Sequence, residues 1–344
     1  MKTIGSLAMS ADTISIMKAP TKKPTARVVK TVARAVGRVR QRTKYEINTQ
    51  EVIAFVKHNL WNMDFRLELQ GNGVNICPAN FYSSIPTIME VNDSWEYKQE
   101  LPFMIPELYP QDILNKTLDA LIEICSSFDE IDINDYIESG YFNNDQYSYS
   151  DALSYYAMIK AKKPSTIVEI GSGYSTLIAL KALRENGKGK LICIEPYPSD
   201  LLKKLSKEPE ITLLKTKVEN LDILEISDML LHGDFLFIDS THTVKAGSDT
   251  LFIYFKLLPL LKKKLFIHIH DIFLPFAMPK SWQVDQQIFW TEQYLVLALL
   301  MDTEHNKMIY GSSYHNHFNK ERLELLSCGQ ENRTGGSSIW IERN

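Results

Sequence analysis

From residue 166 onward, short apolar runs alternate with stretches that have helical spacing. The apolar runs cover residues 166–170, 191–194, 211–214, 235–238 and 265–270, and helical stretches follow at about 175–185 and from residue 238 to Lys263. Apolar strands separated by helices predict βαβ units and a parallel sheet that is covered on both faces. We therefore expect an α/β fold with an open, doubly wound and mostly parallel sheet.

The chain before this region has a mixed pattern. Helical spacing is present at residues 50–60 and, more strongly, at 111–126 and 151–162. We expect three parts: a basic arm over 1–44, a mixed N-terminal region over 45–145 and the α/β domain over 146–344. The middle part is expected to cover a substrate or to make contacts in an oligomer.

Composition describes an ordinary globular chain of 344 residues, with 44% apolar and 23% charged positions. These values exclude collagen-like and wholly disordered classes. The four cysteines lie far apart without a CxxC pair, which argues against structural zinc and suits a reducing compartment. Because there is neither a long apolar run nor a secretory signal pattern, we expect a cytoplasmic protein without a membrane span.

The charge is distributed unevenly. The chain has a net charge of −4, yet residues 1–44 contain 11 Lys and Arg against one acid, so the remaining residues are strongly acidic. Valines recur in the arm at helical spacing, which predicts either a basic amphipathic helix that touches an anionic surface or a solvated tail. An acidic body argues against a broad nucleic-acid surface.

Chemistry-bearing residues follow the first two strands. The first strand leads into Glu169, Gly171 and Gly173, and the second ends at Glu195. Two glycines allow a tight turn and a close approach of a ligand to the backbone before a helix. An acid after the second strand can accept hydrogen bonds from two ribose hydroxyls. Thr176 replaces the third glycine of a dinucleotide fingerprint, and no Walker lysine is present. The pattern favours an adenosine-type ligand over NAD or a nucleoside triphosphate.

These segments carry a resemblance to a known family. The stretches STIVEIGSGYST (165–176), ICIEP (192–196) and FIDSTH (237–242) resemble those of the class I S-adenosylmethionine-dependent methyltransferases. FIDSTH, together with HIHDIFLP (268–275) and GGSSIWIER (335–343), is similar to a small-molecule O-methyltransferase branch. The resemblance implies a Rossmann-like methyltransferase domain with S-adenosylmethionine as cofactor. It also implies that the activity is methyl transfer to a hydroxyl of a small-molecule metabolite.

The resemblance also assigns the cofactor-binding residues. The ligand of the glycine loop would contact Glu169, Gly171, Ser172, Gly173, Tyr174 and Ser175. Glu195 would hold the ribose, Glu219 would lie near the adenine, and Asp239 would lie near the methyl group.

Candidate catalytic groups stand after the fourth and fifth strands. Asp239 and Asp271 end these strands and are expected to face one crevice, where two carboxylates could bind Mg²⁺ and orient the acceptor hydroxyl. The resemblance supports this interpretation, because catechol-type and macrocin-type enzymes use acids at comparable strand ends. The catechol type has an Asn after the second acid, whereas Ile272 stands here. Capping of a helix or contact with the cofactor is the alternative role for the two acids.

His242 and His270 accompany the two acids, and each is a candidate general base or metal ligand. His268 shares a strand face with His270 but lies deeper, so we expect a hydrogen-bonded core histidine there. The catalytic candidates are therefore Asp239, His242 and His270.

Three other functions remain open at this stage. The chain could be a catalytically silent protein that binds S-adenosylmethionine for regulation or scaffolding. It could be a metal-dependent oxygenase or hydrolase that uses the Asp/His cluster. It could also be a nucleic-acid methyltransferase guided by its basic arm, in which case removal of residues 1–44 abolishes turnover.

Overall fold

The computed structural model describes residues 48–126, 144, 146–147, 149–301, 303–327 and 335–344. The basic arm over 1–44 lies outside these residues. The chain divides into two compact units, Met1–Ile85 and Pro86–Asn344. The expected boundaries at 44/45 and 145/146 stay predictions.

In the first unit, the described part forms two short helices, α1 (Thr49–Asn59) and α2 (Met63–Gly71). Asn48 and Asn62 cap them, because each side-chain oxygen accepts a main-chain N–H at 3.1 Å. An edge-to-face contact between Phe55 and Phe65, with ring centroids 5.5 Å apart, joins the two helices. None of the described residues of either helix is fully buried.

The described residues of the second unit form seven strands and the remaining helices. The strands are β1 (Thr166–Ile170), β2 (Lys190–Ile194), β3 (Ile211–Leu214), β4 (Phe235–Ile238), β5 (Leu265–Ile269), β6 (Asn306–Gly311) and β7 (Ile339–Arg343). The α-helices are α3 (Ile88–Asp93), α4 (Gln111–Cys125), α5 (Tyr149–Lys162), α6 (Tyr174–Asn186), α7 (Asp200–Leu205), α8 (Ile223–Met229), α9 (Asp249–Phe252), α10 (Lys280–Val284), α11 (Glu292–Leu300), α12 (Ser312–Phe318) and α13 (Lys320–Leu326). Among the described residues, no helix combines the length and the hydropathy that a bilayer crossing requires.

All seven strands form one sheet in the order β3-β2-β1-β4-β5-β7-β6. Strands β3, β2, β1, β4 and β5 are parallel, and β7 inserts antiparallel between β5 and β6. Ile170 pairs with both Ile194 and Ile238, so the carboxyl ends of the central strands meet at one edge. The expected doubly wound, mostly parallel sheet is confirmed.

Burial of both sheet faces explains why the central strands are continuously apolar. On one face, helices α5 and α6 pack over Phe237 and Trp340 in a core that also includes Tyr155. On the other face, Val168 and Ile267 pack with the region after α9 and with α11. Helix α4 contributes Leu114, Leu118 and Leu121 to these cores, which explains its strong amphipathic pattern.

The prediction of one long helix from the end of β4 to Lys263 is wrong, because helical structure begins only at Asp249. Residues 239–248 form a loop, and α9 begins at Asp249, continues as a π-helical turn over Ile253–Leu257 and ends in a 3₁₀ turn over Leu258–Leu260. Ser248 caps the helix by accepting the main-chain N–H of Leu251 at 3.2 Å. The side chain of Asp249 meanwhile accepts the main-chain N–H of Thr241 at 3.0 Å, which holds the loop open at the strand end. Asp239 and His242, two of the three catalytic candidates, lie in this loop, whereas His270 follows β5.

Candidate active site

The glycine loop after β1 depends on Gly171. Its φ of +81° lies in the left-handed region, and a Cβ at this position would collide with the main-chain carbonyl of Asp239. Its N–H donates to the carbonyl of Ile194 at 3.1 Å, which joins the loop to β2. Gly173 is different, because a Cβ there would meet nothing within 4 Å. Gly173 therefore leaves open space in front of the N terminus of α6.

Two cavities border this loop. The smaller one, of about 140 Å³, is lined by Gln146, Tyr147, Gly171, Ser172, Gly173, Tyr174, Ser175, Glu195 and Asp239. The larger, of about 350 Å³, is lined by Glu195, Lys217, Glu219, Asp239 and neighbouring residues after β2, β3 and β4. All the predicted cofactor residues except Glu169 line one or both cavities. Glu195 and Asp239 line both of them.

Glu169 lies beneath the loop and lines none of these cavities. It is fully buried, and its carboxylate accepts hydrogen bonds from Thr176 Oγ1 at 2.7 Å and Tyr155 Oη at 3.1 Å. Burial raises the pKa of the Glu169 carboxyl to about 7, against the opposing effect of these hydrogen bonds. Thr176 and Tyr155 lie on α6 and α5, so Glu169 joins β1 to both helices. The position of Glu169 and its hydrogen bonds suit a role in supporting the glycine loop from beneath.

Glu195 stands at the cavity edge after β2. Burial raises the pKa of its carboxyl, although Oε1 accepts the main-chain N–H of Tyr197 at 2.7 Å. Glu195 lines both adjoining cavities, where its carboxylate can accept hydrogen bonds from a ligand. Glu219 lies on the opposite side, in a short 3₁₀ turn over Val218–Asn220. Its carboxylate lies 3.6 Å from the ammonium of Lys217.

A third cavity, of about 710 Å³, lies at the same edge of the sheet. Its polar wall includes Asp239, His242, His270 and Asp271, and its aromatic wall is formed by Phe273, Trp282 and Trp290. Phe273 and Trp290 each contact Trp282 edge-to-face, with ring centroids 5.4 Å apart. Asp239 lines this cavity as well as the two cofactor-side cavities. The three cavities therefore meet at one carboxylate.

The structure brings the predicted catalytic and metal candidates together. We refer to Asp239, His242, His270 and Asp271 as the Asp/His cluster. Nε2 of His242 lies 3.2 Å from Oδ1 of Asp239 and 3.8 Å from Oδ2 of Asp271. Nδ1 of His270 lies 3.5 Å from the same Asp239 oxygen and 3.6 Å from the same Asp271 oxygen. Two imidazole nitrogens thus alternate with two carboxylate oxygens.

Two residues of the Asp/His cluster have unusual backbone angles. His242 has φ +55° and Asp271 has φ +56°, although neither is glycine. Non-glycine residues in the left-handed region cost free energy and are found preferentially at functional sites. The carbonyl of His242 compensates by accepting the main-chain N–H groups of Thr291 and Glu292, at 2.8 and 3.0 Å. This conformation turns the imidazole toward Asp239.

Two carboxylates behind the cluster were not predicted from the sequence. Oε2 of Glu292 accepts a hydrogen bond from Nδ1 of His242 at 2.8 Å, and Oδ2 of Asp151 lies 3.7 Å from Nε2 of His270. Both carboxylates are almost fully buried. Each imidazole of the cluster therefore has a buried carboxylate on its far side. The only sequence signal was an acid at the first turn of each apolar helix, α11 and α5, where an N-terminal acid has an ordinary explanation.

The four ionisable groups of the cluster have pKa values that are shifted in different directions. Burial opposes ionisation of Asp239, but the imidazoles of His270 and His242 together lower its carboxyl pKa well below the usual range. Burial likewise lowers the pKa of His242, yet Asp239 and Glu292 raise it overall to about 10. The pKa of His270 is raised well above its ordinary value because Asp239 and Asp271 outweigh burial. For Asp271, burial raises the carboxyl pKa despite both imidazoles. Asp239 is therefore the most strongly ionised carboxylate of the cluster.

His268 is a core residue, as expected. It is fully buried, stacks on Phe237 with ring centroids 4.6 Å apart, and its Nε2 lies 3.3 Å from Oη of Tyr147. Burial lowers its pKa to about 3, so the imidazole is neutral. Although His270 is only two residues away, it lies at the strand end and reaches the cavity.

Part of the chain is similar to a known methyltransferase domain. Residues 168–272 match a family model described as a methyltransferase domain. An uncharacterized protein of Archaeoglobus fulgidus is 36% identical over 140 residues, which cover 37% of this chain and 61% of that protein. The chain thus spans less than two thirds of this relative.

Solved structures with a similar fold share little sequence with the chain. The plantazolicin methyltransferase BpumL in complex with SAH has 16% identity and a TM-score of 0.40, and the match covers 68% of this chain and 99% of that one. A structure described as cmcI-D160 Mg-SAM has 18% identity over 55% and 69% of the two chains, with a TM-score of 0.33. A structure from Klebsiella pneumoniae that is described as a candidate O-methyltransferase has 12% identity over 66% of this chain and 89% of that one, with a TM-score of 0.34.

Proposed function

We propose that the protein is an S-adenosylmethionine-dependent methyltransferase that transfers the methyl group to a hydroxyl of a small-molecule metabolite. The observation that carries the proposal is the position of Asp239, which lines two cofactor-side cavities and the large third cavity. A group-transfer enzyme needs donor and acceptor sites that meet at the reacting atoms. The family match over 168–272, which covers the loop, Glu195 and Asp239, supports the same function.

The cofactor-side cavities suit the three parts of S-adenosylmethionine. The free N–H groups at the start of α6 suit a carboxylate of the amino-acid part, and no side chain among the described residues caps this helix. Glu195 can accept hydrogen bonds from the ribose hydroxyls. The cavity beyond it, beside Val218 and Glu219, has the position expected for the adenine. Glu169 acts indirectly in this proposal, because it supports the loop from beneath.

When bound, the cofactor supplies a methyl group that is electrophilic because it is attached to a sulfonium. Asp239 accepts the hydrogen bond of the acceptor hydroxyl and directs its lone pair toward that methyl group. As the new C–O bond forms and the C–S bond breaks, the oxygen becomes strongly acidic and Asp239 takes its proton. An ionised carboxylate of low pKa can do this, since the alkylated oxygen is a much stronger acid than a carboxylic acid.

His242 and His270 hold Asp239 in this mechanism. With its pKa raised to about 10, the His242 imidazole carries a proton at neutral pH and therefore donates to Asp239. The aromatic wall of Phe273, Trp282 and Trp290 excludes water and contacts the apolar part of the acceptor. The large volume of this cavity suits a metabolite of more than one ring.

Mg²⁺ is not needed in this mechanism. Mg²⁺ prefers six oxygen ligands and retains several waters, whereas half of the atoms that converge in the cluster are imidazole nitrogens. The donor set therefore fits Mg²⁺ poorly, and we derive no step through it.

A cytoplasmic location, a small-molecule acceptor and an oligomeric assembly remain parts of the proposal.

A calorimetric titration with S-adenosylhomocysteine tests the proposal. We expect micromolar binding to the full chain and a loss of at least about tenfold in affinity for Glu195→Ala, because two ribose hydrogen bonds are removed. Glu225→Ala, on an exposed surface, is the matched control and should bind like the wild type. Absence of both heat and thermal shift at saturating ligand would refute the proposal.

The same preparation distinguishes the alternative functions. If S-adenosylhomocysteine binds but no hydroxylated acceptor in a broad panel is methylated, a silent binding protein is favoured. Bound iron together with no affinity for S-adenosylhomocysteine would favour a metal-dependent oxygenase. Removal of residues 1–44 should leave methyl transfer to a small acceptor unchanged, whereas a nucleic-acid enzyme would lose its turnover.

A further inference from the structure

We propose that the third cavity binds an acceptor that carries an alkylammonium group, held between the aromatic wall of Phe273, Trp282 and Trp290 and the carboxylate of Asp271. The inference deepens the proposed function, because it names the chemical class of the acceptor. It rests on that function for the identity of the third cavity as the acceptor site. Its test measures the binding of a cation and does not require that methyl transfer be observed.

The first argument is the arrangement of the aromatic wall. Phe273 and Trp290 each lie edge-to-face with Trp282, with ring centroids 5.4 Å apart and ring planes at 87°. All three rings are half-buried and line the cavity. Rings at right angles present their faces in different directions, and aromatic cages that bind alkylated ammonium groups are built in this way. The wall can therefore contact the alkyl groups of an ammonium from more than one side.

One ring of the wall already lies against an ionisable group of the protein. The ring centroids of Trp290 and His242 are 4.4 Å apart, so one part of the Trp290 ring is occupied by the imidazole. Phe273 and Trp282 contact no cationic side chain among the described residues of the chain. Their faces are the part of the wall that a cationic ligand would contact.

The second argument is the sign of the charge around the cavity. Asp151, Asp239 and Asp271 line it, whereas no lysine or arginine of the described residues does. Glu292 adds a fourth carboxylate behind His242. The two imidazoles of the Asp/His cluster balance at most two of these four carboxylates. The excess of negative charge favours a cationic ligand over a neutral or anionic one.

Asp271 is the carboxylate best placed to contact the cation. It lines the third cavity but neither cofactor-side cavity, so the sulfonium of the cofactor does not account for its charge. Ser337 Oγ donates to its Oδ1 at 2.8 Å, whereas the imidazole nitrogens of the cluster lie 3.6 and 3.8 Å from Oδ2, beyond hydrogen-bond distance. Oδ2 can therefore pair with a ligand. Burial raises the carboxyl pKa of Asp271, and an ammonium beside it would favour the ionised form.

A pair of alcohols with the same shape and different charge tests the inference on the full-length chain. The probes are choline and its neutral carbon isostere, in which a tert-butyl group replaces the trimethylammonium group. Each is titrated with and without saturating S-adenosylhomocysteine, and quenching of tryptophan fluorescence measures its binding. We expect choline to bind at least about tenfold more tightly than the isostere, because only the charged probe gains from the ring faces and from Asp271.

Variants separate an aromatic cage from an ordinary apolar wall. Trp282→Leu keeps an apolar side chain but removes the ring face, so choline affinity should fall by at least about fivefold while the isostere binds as before. Trp282→Phe should restore most of the loss. Asp271→Asn should reduce the preference for choline in the same selective way. Trp61→Leu, at an exposed tryptophan that does not line the cavity, is the control and should bind both probes like the wild type. Thermal unfolding of each variant verifies that it is folded.

Two results with the wild type would overturn the inference: no saturable binding of choline, or binding of the neutral isostere with equal or higher affinity. Equal losses for both probes in folded Trp282→Leu would also overturn it, because they indicate a wall that recognises only apolar surface. Calorimetry with S-adenosylhomocysteine separates this failure from failure of the proposed function. Cofactor binding without a preference for choline rejects only the cationic acceptor, whereas a preference for choline without cofactor binding rejects only the methyltransferase.

Discussion

Glu292 and His242 contact each other at two points. The carboxylate of Glu292 accepts a hydrogen bond from the imidazole Nδ1 at 2.8 Å, and its main-chain N–H donates to the carbonyl of His242 at 3.0 Å. The first contact orients the ring and the second stabilises the left-handed backbone of His242, whose φ is +55°. Glu292 thus connects the first turn of α11 to the cavity.

Loss of this carboxylate should destabilise the folded state. In Glu292→Ala the buried N–H of His242 has no acceptor, so we expect the free energy of unfolding to fall by about 1–3 kcal/mol. Glu292→Gln keeps an acceptor oxygen and should recover most of the loss. Denaturant titration measures both changes, and equal stabilities of wild type and Glu292→Ala would contradict the assignment. Affinity for S-adenosylhomocysteine should persist, because Glu292 lines neither cofactor-side cavity.

The two glycines of the loop should respond differently to the same substitution. Gly171→Ala places a Cβ against the carbonyl of Asp239 at a φ of +81°, so we expect a destabilisation of about 2–4 kcal/mol and loss of cofactor binding. Gly173→Ala meets nothing within 4 Å and should fold normally. Thermal unfolding compares the two variants directly. If Gly171→Ala is as stable as Gly173→Ala, the described loop conformation is incorrect.

Glu169 should make stability fall as pH rises. Burial raises its carboxyl pKa from 4.5 to about 7, so between these values the folded protein holds a proton that the unfolded chain has lost. The free energy of unfolding then decreases with rising pH, by at most about 1.4 kcal/mol per pH unit, and this contribution levels off outside the window. Glu169→Gln should remove the dependence, whereas exposed Glu225→Gln should not. Parallel slopes for wild type and Glu169→Gln between pH 5 and about 7 would count against this assignment.

Asp234 should be important for the sheet itself. Its carboxylate accepts the main-chain N–H groups of Ser165 and Thr166, at 2.8 and 2.9 Å, and that of Leu231 at 2.8 Å. These bonds join the start of β1 to the start of β4 in the interior. Asp234→Ala leaves three N–H groups without an acceptor, so we expect a loss of about 3 kcal/mol in the free energy of unfolding. Exposed Asp228→Ala is the control, and a similar small effect for both would refute this role.

Much of the fold and part of the site could be predicted from the order of residues. The apolar runs identified β1 to β5, and the parallel connection of such strands brings their carboxyl ends to one edge. Asp239, His242, His270 and Asp271 were therefore expected at one crevice, and they are adjacent in the structure. The helix after β4 was predicted to begin too early, because residues 239–248 are mostly polar and the helix begins only where Ser248 caps it.

The chain by itself determined which groups stand at the strand ends, because strand period and direction are local properties. Only the tertiary structure decided what each group contacts. Glu169 lies under the loop because α5 and α6 close over β1, and the partners Glu292 and Asp151 reach the cluster from helices about 50 and 120 residues away along the chain. Contacts at such separations follow from how helices pack on the sheet, and no spacing in the sequence encodes that packing.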